Sequence, residues 1–185
     1  MLLEHTMIKK STWLRYFANF IAYISLQILI GQASMHFYKS TCFVYIGFLL
    51  SLPWYKTTLI FQLLLGFFVG LIIDAFYDSL GIHAFAAVLL IYCRNLLLHL
   101  LPPIAVNDYE YATKPSLYSM GFKKFSIYVL FLTVIYHITV FCLDAWNFVS
   151  FFSVLPPVFI NVVSSYFVIC TFQIISALVS NTSIR

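Results

Sequence analysis

Five ionisable side chains interrupt otherwise apolar stretches of this chain, and they are its candidates for chemistry: Asp74, His83, Arg94, His137 and Asp144. An ionisable group within hydrocarbon is energetically expensive, so each of them needs a partner or a function. Acids and histidines at one depth are suited to hydrogen-bonded pairing, to proton transfer or to binding another protein.

Asp74 and His83 flank a short polar bend centred near residue 79. In an antiparallel hairpin with that bend, residue 74 faces residue 84. We therefore expect Asp74 and His83 to lie at similar depth and to form a hydrogen-bonded pair, with Asp78 nearby. Two interpretations stay open: the groups cap and orient the hairpin, or they bind a partner or relay protons. No second acid at mid-depth extends a relay, which argues against a pump.

The other three ionisable groups divide between two ends. His137 and Asp144 are seven residues apart and share a helical face, so we hypothesise that they join Asp74 and His83 in an outward-facing polar cluster. Arg94 lies about two turns from the end of its apolar stretch, so its guanidinium can reach the headgroups or helix-end carbonyls. About 15 Å of helix separates Arg94 from the depth of Asp74, which predicts no contact between them.

Sequence signatures of catalysis and metal binding are missing. The chain has no Walker loop, GxSxG, HExxH or glycine-rich dinucleotide turn. Its four cysteines lie in apolar runs without CxxC spacing, which indicates buried free thiols. We therefore expect no enzyme, no cofactor and no metal. The aromatic residues are expected to serve packing and lipid contact, and no nucleic acid partner is predicted.

The composition excludes a water-soluble globule. Of 185 residues, 63 % are hydrophobic and 9 % charged, whereas soluble domains carry about 25 % charged residues. The sequence predicts an all-α integral membrane protein that forms a single transmembrane domain over 1–185, in contact with the lipid bilayer. The second span is short and ends at Pro53, so its complete crossing is left open. We predict a cytoplasmic loop over 102–121 and six transmembrane helices at about 13–36, 40–55, 56–77, 81–101, 122–144 and 154–178.

The cations predict the orientation of the chain. Six spans place both termini on one side, and Lys39 is then the one Lys or Arg, of ten, at the opposite helix ends. Because Lys and Arg accumulate on the cytoplasmic side, both termini are predicted to be cytoplasmic. This pattern explains the net charge of +4 better than nucleic-acid binding does.

Small residues define the hairpin around the bend. Gly66 and Gly70 are four apart, a spacing that lets a neighbouring helix approach closely in lipid. The full pattern resembles the signature of the rod shape-determining protein MreD family, which reads Gly-x-x-x-Gly-Leu-x-x-Asp, a short bend, then Gly-x-His-Ala. The matching residues here are Gly66, Gly70, Leu71, Asp74, Gly81, His83 and Ala84.

Further features look like MreD proteins of Bacteroidetes, so that the resemblance covers nearly the whole chain. They are Pro53, Arg94 with a proline stop after it, the loop around Tyr109 and Glu110, and the stretch from His137 to Asp144. At position 144, where this chain has Asp, the family leads us to expect an acid such as Glu.

The resemblance implies a non-enzymatic scaffold in the bacterial inner (cytoplasmic) membrane that supports lateral peptidoglycan synthesis and cell shape. Such a protein binds MreC directly and, through it, joins MreB, RodA and a class B penicillin-binding protein. We hypothesise that the Gly66/Gly70 face or the Asp74 region forms part of the MreC contact.

An alternative function belongs to another class of protein. Six spans in this length also resemble the substrate-binding S-component of an energy-coupling-factor vitamin transporter, and MreD is similar to S-components in size and span number. S-components dock their membrane partner through small residues four apart in the first helix. Ala18 and Ala22 have that spacing. Such a bundle would hold a vitamin in a pocket near its outer face.

Overall fold

The regular structure of this protein is helical wherever the chain is described, as expected for a backbone that must satisfy its own hydrogen bonds in lipid. A computed structural model describes residues 17–30, 43–53, 57–103, 114–145 and 151–182. The helices in these ranges are α1 (Phe17–Ile30), α2 (Ile46–Leu50), α3 (Leu59–Tyr77), α4 (Ile82–Leu100), α5 (Leu117–Ala145) and α6 (Phe151–Thr182).

Four helices, α3 to α6, are long and apolar enough to cross a membrane. Between 28 and 44 % of the residues in each of their apolar stretches are buried, so most of their apolar side chains face outward. In water such a surface would be unstable, whereas lipid solvates it. The protein is therefore a multi-pass membrane protein, and the predicted spans 56–77, 81–101, 122–144 and 154–178 are confirmed as helices.

The predicted second span, 40–55, whose complete crossing the sequence leaves open, contains only a short helix in its described part, 43–53. Its helix, α2, has five residues. That length rises about 8 Å, against a hydrocarbon core of about 30 Å. The side chains of residues 43–50 are all buried in the protein. The sequence there is apolar because protein surrounds it, and hydropathy alone does not distinguish protein from lipid surroundings.

Parts of the topology prediction lie outside the described residues. These parts include both chain ends, Lys39, the loop 104–113 and the outer portions of the predicted first span. Both the cytoplasmic termini and the total of six spans stay predictions.

The α3–α4 hairpin forms because the bend permits an abrupt reversal. Asp78 ends α3 with φ of 51°, and Gly81 precedes α4 with φ of 81°, so two left-handed residues turn the chain back on itself. Left-handed backbone costs glycine little and asparagine or aspartate less than most residues. The return brings α4 directly against α3.

The close approach of the two helices depends on Gly70 and Gly66. A Cβ at Gly70 would lie 2.7 Å from the Ala84 nitrogen and 2.7 Å from the His83 oxygen, which are both backbone atoms. A Cβ at Gly66 would meet the Ile91 side chain. The small-residue face predicted from the sequence is therefore filled by α4 of the same chain.

Gly121 separates two parts of α5. Its backbone, with φ of 72° and ψ of 160°, is not helical. The membrane helix therefore begins after Gly121, in agreement with the predicted start at residue 122. Residues 117–120 form a separate turn before it.

We expect Gly70→Ala to destabilise the protein, because the new Cβ meets backbone that cannot rotate away. Overpacking costs about 1–3 kcal/mol, and the gain in helix propensity offsets about 1 kcal/mol of it. Gly66→Ala should cost less, since the Ile91 side chain can change rotamer. The measurement is the apparent melting temperature in mild detergent, with Leu64→Ala on the exposed face of α3 as control. A Gly70→Ala protein as stable as the wild type would contradict this packing.

Candidate functional site

Two buried polar clusters lie at opposite ends of the α3–α4 hairpin. We call the first the bend cluster; it contains Asp74, Ser79, His83, Tyr136 and Tyr45. The second, the arginine cluster, contains Arg94, Gln62 and Tyr128 with the carbonyl groups of Leu50 and Leu52. A third element, the buried segment 43–53, contacts both clusters.

Asp74 acts as a cap for α4, although it belongs to α3. Its Oδ1 accepts hydrogen bonds from the His83 backbone N–H at 2.9 Å and from the Ser79 hydroxyl at 2.6 Å. Its Oδ2 accepts from the Ala84 N–H at 2.9 Å. The first N–H groups of a helix have no partner within the helix and attract negative charge, so the carboxylate satisfies them. It thereby locks the hairpin.

His83 connects α4 to α5 and to the buried segment. Its Nδ1 lies 2.7 Å from the Tyr136 hydroxyl, which is in turn hydrogen-bonded to the Tyr45 hydroxyl. The Phe43 ring packs edge-on against the imidazole, with centroids 4.7 Å apart. Tyr45 and Tyr136 are fully buried and His83 is 4 % exposed.

His137 directly follows Tyr136 on α5 and contacts the same end of the buried segment. Its Nδ1 donates to the Thr133 carbonyl oxygen at 2.8 Å, since a carbonyl can only accept. The neutral ring then accepts at Nε2 from the Ser165 hydroxyl at 3.4 Å. That hydroxyl also accepts from the Phe43 N–H at 3.2 Å. The chain of bonds ties α5 and α6 to the start of the buried segment.

Gln27 of α1 completes the attachment of the segment. Its side-chain oxygen accepts from the N–H groups of Val44 at 2.6 Å and Tyr45 at 3.3 Å, and its side-chain nitrogen donates to the Tyr77 hydroxyl at 2.9 Å. Three consecutive backbone N–H groups, of residues 43–45, are thus satisfied by side chains of α6 and α1.

Arg94 holds the other end of the buried segment. Its Nη2 donates to the Leu52 oxygen, and its Nε donates to the Tyr128 hydroxyl at 3.0 Å and more weakly to the Leu50 oxygen at 3.4 Å. The Tyr128 hydroxyl donates to the same Leu50 oxygen at 2.8 Å. Because the C-terminus of a helix carries partial negative charge, the end of α2 is a suitable partner for a buried cation.

Gln62 of α3 completes the arginine cluster. Its side-chain oxygen accepts from Arg94 Nη1 at 2.9 Å, while its nitrogen donates to the Thr57 oxygen at 3.1 Å and to the Thr57 hydroxyl at 2.9 Å. Arg94 is fully buried, and no carboxylate bonds to it in the described ranges. Carbonyl, amide and phenol oxygens take the place of an ion-pair partner.

The two clusters place the buried segment at membrane depth. Arg94 lies about 16 Å beyond His83 along α4. Phe43 packs against His83 and Leu52 bonds to Arg94, so the segment covers that depth with one short helix and otherwise irregular chain. Irregular backbone is tolerated at such depth only where protein or water satisfies it. Here protein side chains do so.

Of the predicted candidates, Asp74, His83 and His137 lie at the bend end of the hairpin, whereas Arg94 lies at the other end. Asp74 and His83 do meet across the hairpin, but through the His83 backbone N–H, while the imidazole binds Tyr136. His137 lies in the same region, since its ring centroid is 5.5 Å from that of Phe43. Asp144 is exposed and forms none of the described hydrogen bonds of the cluster, so its membership stays a prediction. Seven residues of α5 carry it about 10 Å beyond His137.

Two predicted contact regions are occupied within the chain. Gly66 and Gly70 face α4, which leaves no groove there for another helix. Asp74 is 5 % exposed and accepts three hydrogen bonds. Of the two predicted partners for Arg94, the structure shows helix-end carbonyls.

Sequence reasoning missed several residues of both clusters. These residues are polar or phenolic groups inside apolar runs, and the tyrosines were interpreted as packing and lipid-facing aromatics. A polar atom in a hydrocarbon stretch is the signal that identifies them, but it does not reveal the partner. The missed residues are Tyr45, Tyr136, Gln62 and Tyr128.

The chemistry available to these clusters is mainly structural. Their polar groups bind backbone groups or one another, and the described ranges contain no group of three or more His, Cys, Asp or Glu that could hold a metal ion.

A shallow, almost wholly apolar groove lies on the outer surface between α1 and α6, lined by Leu26, Phe167, Val168, Thr171, Phe172 and Ile175.

Comparison with known proteins adds no relative: no protein-family model, no curated protein and no solved structure matches the chain. Function is therefore inferred from the contacts of these residues and from the resemblance of the hairpin pattern.

Asp74→Leu should destabilise the hairpin, because it leaves two buried N–H groups of α4 without acceptors. We expect a loss of about 2–6 kcal/mol, at about 1–3 kcal/mol for each unsatisfied group. Asp74→Asn keeps one acceptor oxygen and should lie between Asp74→Leu and the wild type. Apparent melting temperature is the measurement, and Asp144→Asn, at an exposed acid, is the control. Equal stability of Asp74→Leu and Asp144→Asn would contradict the capping role.

Arg94→Met should release the end of the buried segment, since it leaves the oxygens of Leu52 and Gln62 without their donor. Arg94→Lys should recover little stability, because an ammonium cannot reproduce the planar fork of donors. Arg94→Met is expected to cost about 2–6 kcal/mol, since two buried oxygens lose their donor at about 1–3 kcal/mol each, and Arg94→Lys nearly as much. Lys123→Met, at an exposed cation, serves as control in the same thermal assay. Full stability of Arg94→Lys would indicate that charge alone, without the fork, suffices.

Proposed function

We propose that this protein is a non-enzymatic scaffold of the bacterial cell-elongation complex, located in the inner membrane, which binds MreC and supports lateral peptidoglycan synthesis. The observation that carries the proposal is the use of the family-like motif. Gly66 and Gly70 admit α4, Asp74 caps it, and Gly81 makes the turn that returns it. A pattern that resembles MreD is thus the set of residues that builds the hairpin.

The burial and internal hydrogen bonding of the polar groups support a scaffold. Asp74, Arg94 and His137 are buried and bound to backbone or hydroxyl groups of their own chain. Groups used in this way fix helix positions, which a binding platform needs.

The filled glycine face changes where MreC would bind. Because α4 covers Gly66 and Gly70, the contact must use outward-facing surfaces of the bundle. Exposed positions are available on several helices, including Ile21 on α1, Phe68 on α3, Phe131 on α5 and Phe167 on α6. Through MreC, the protein would join MreB, RodA and a class B penicillin-binding protein.

One observation favours the alternative, an S-component of a vitamin transporter with the corresponding bundle. Ala18 and Ala22 are exposed on α1, on the outward side where a membrane partner could dock. An S-component would be stabilised thermally by its vitamin. It would also lose its membrane partner on Ala18→Leu/Ala22→Leu, a change that leaves the described core untouched.

The decisive experiment is site-specific photo-crosslinking in bacteria that co-express the chain with MreC from the same genome. A benzophenone amino acid is placed in turn at Ile21, Phe68, Phe131 and Phe167, with fully buried Ile73 as the control position. We expect MreC to crosslink from one or two neighbouring faces and not from Ile73. Helix pairs in membranes bury one face of each helix, so labelling should be face-specific.

Two outcomes would contradict the scaffold. The first is no MreC adduct from any exposed face, together with no MreC in a mild-detergent purification. The second is a vitamin-dependent rise in melting temperature with loss of a copurifying membrane protein in Ala18→Leu/Ala22→Leu, which would favour the transporter. Gly66→Leu/Gly70→Leu is unsuitable as a binding test, because it would disrupt the hairpin.

A further inference from the structure

The hydrogens of the bend cluster have one arrangement that satisfies every buried hydroxyl. Tyr45, Tyr136 and His83 form a row joined by two hydrogen bonds. If Tyr45 donates to Tyr136 and Tyr136 donates to His83 Nδ1, both hydroxyl hydrogens are used. If Nδ1 carried a hydrogen and donated instead, one of the two buried hydroxyl hydrogens would lack an acceptor. The neutral imidazole that accepts at Nδ1 is therefore favoured.

Protonation of His83 reverses this row. A charged imidazole carries hydrogens on both ring nitrogens and can only donate. Tyr136 must then accept from Nδ1, and one hydroxyl hydrogen of the pair Tyr136 and Tyr45 is left without an acceptor among the described residues. A buried polar group without a partner is costly, and a buried charge adds to that cost.

Tyr45 is the side chain that couples the protonation of His83 to the buried segment, through its hydrogen bond to Tyr136. It belongs to the segment and is fully buried, whereas Tyr136 belongs to α5 and His83 to α4. The other contacts that fix residues 43–45 come from Ser165 and Gln27, which do not titrate. Among the contacts described above, this end therefore has two titratable attachments: the row of hydroxyls, and His137, which bonds to Ser165.

Charged and titratable groups face His83 from three elements. From α3 come the Asp74 carboxylate, which accepts from the His83 N–H, and the Tyr77 ring, which packs against the His83 ring. From α5 come Tyr136 and His137, with Asp144 further along the helix, and from the buried segment comes Tyr45. Asp74 keeps its bonds to the α4 N–H groups and supplies a compensating negative charge nearby. No lysine or arginine belongs to this set.

We propose that His83 is a pH-sensitive latch that holds the bend end of the buried segment against α4 and α5 while neutral and releases it when protonated. The latch is a property of the fold and is independent of the proposed function. His83 lies in the first turn of α4, beside the exposed bend, and keeps 4 % of its surface exposed. The bend is therefore the nearest exposed part of the hairpin from which a proton could reach the imidazole.

Hydrogen–deuterium exchange of the full chain in lipid nanodiscs tests the latch. Exchange of the peptide that covers residues 43–53 is measured between pH 7.5 and 3.5, a range wide enough to protonate a buried histidine, and is corrected for intrinsic exchange. We expect local opening to increase on the order of tenfold at the lower pH, as the loss of one buried hydrogen bond predicts. Peptides from α3 serve as the internal reference and should show no such change.

Three variants distinguish the latch from general acid destabilisation. His83→Gln should be pH-independent, because its side-chain oxygen accepts from Tyr136 at either pH. Tyr136→Phe should exchange fast at both pH values. His137→Gln, a matched change at the neighbouring buried histidine, should retain the pH response. A wild-type rate without pH dependence, a response that persists in His83→Gln, or one abolished in His137→Gln would each overturn the proposal.

A second measurement covers the case in which His83→Gln does not fold. Nitrogen chemical shifts of the imidazole in the wild-type protein report protonation of His83 directly. The protonation step should coincide with the step in exchange. Steps separated by more than about one pH unit would overturn the latch.

Discussion

The need to satisfy every backbone polar group away from water governs this structure. The long helices α3 to α6 do so internally, whereas the buried segment 43–53 is mostly irregular and cannot. Side chains from the surrounding helices bind its N–H groups at one end and its carbonyl groups at the other. The polar residues that interrupt the apolar helices are present for this purpose. Without them, the segment could not lie at this depth.

The two ends of the segment use different chemistry for a physical reason. Free N–H groups need acceptors, and the Gln27 amide and the Ser165 hydroxyl supply them. Free carbonyl groups need donors, and the Arg94 guanidinium supplies several in one plane. Asp74 applies the first rule to α4, where its carboxylate accepts from two N–H groups. The ionisable groups that looked like a reactive site are therefore largely structural.

The hairpin shows that a small-residue motif predicts close helix approach without identifying the neighbouring helix. Gly66 and Gly70 do admit a neighbouring helix, as the spacing indicates. That neighbour is α4, because a four-residue bend with two left-handed residues returns the chain along α3. A small-residue pattern states that something comes close, and it contains no information about which helix that is. The surfaces left for another protein are therefore the outward faces of the bundle.

Composition and the positions of the apolar stretches determined the membrane class, the helical fold and four of the spans, because hydrocarbon thickness and backbone hydrogen bonding leave few other solutions. Sequence also placed Asp74 opposite residue 84, since a short bend fixes the register of a hairpin. Only the tertiary structure decided that 43–53 is enclosed by protein, that Arg94 binds carbonyl groups, and that Tyr45 and Tyr136 meet His83. Apolar sequence is the same whether lipid or protein surrounds it, and partners far apart in the chain are chosen by packing.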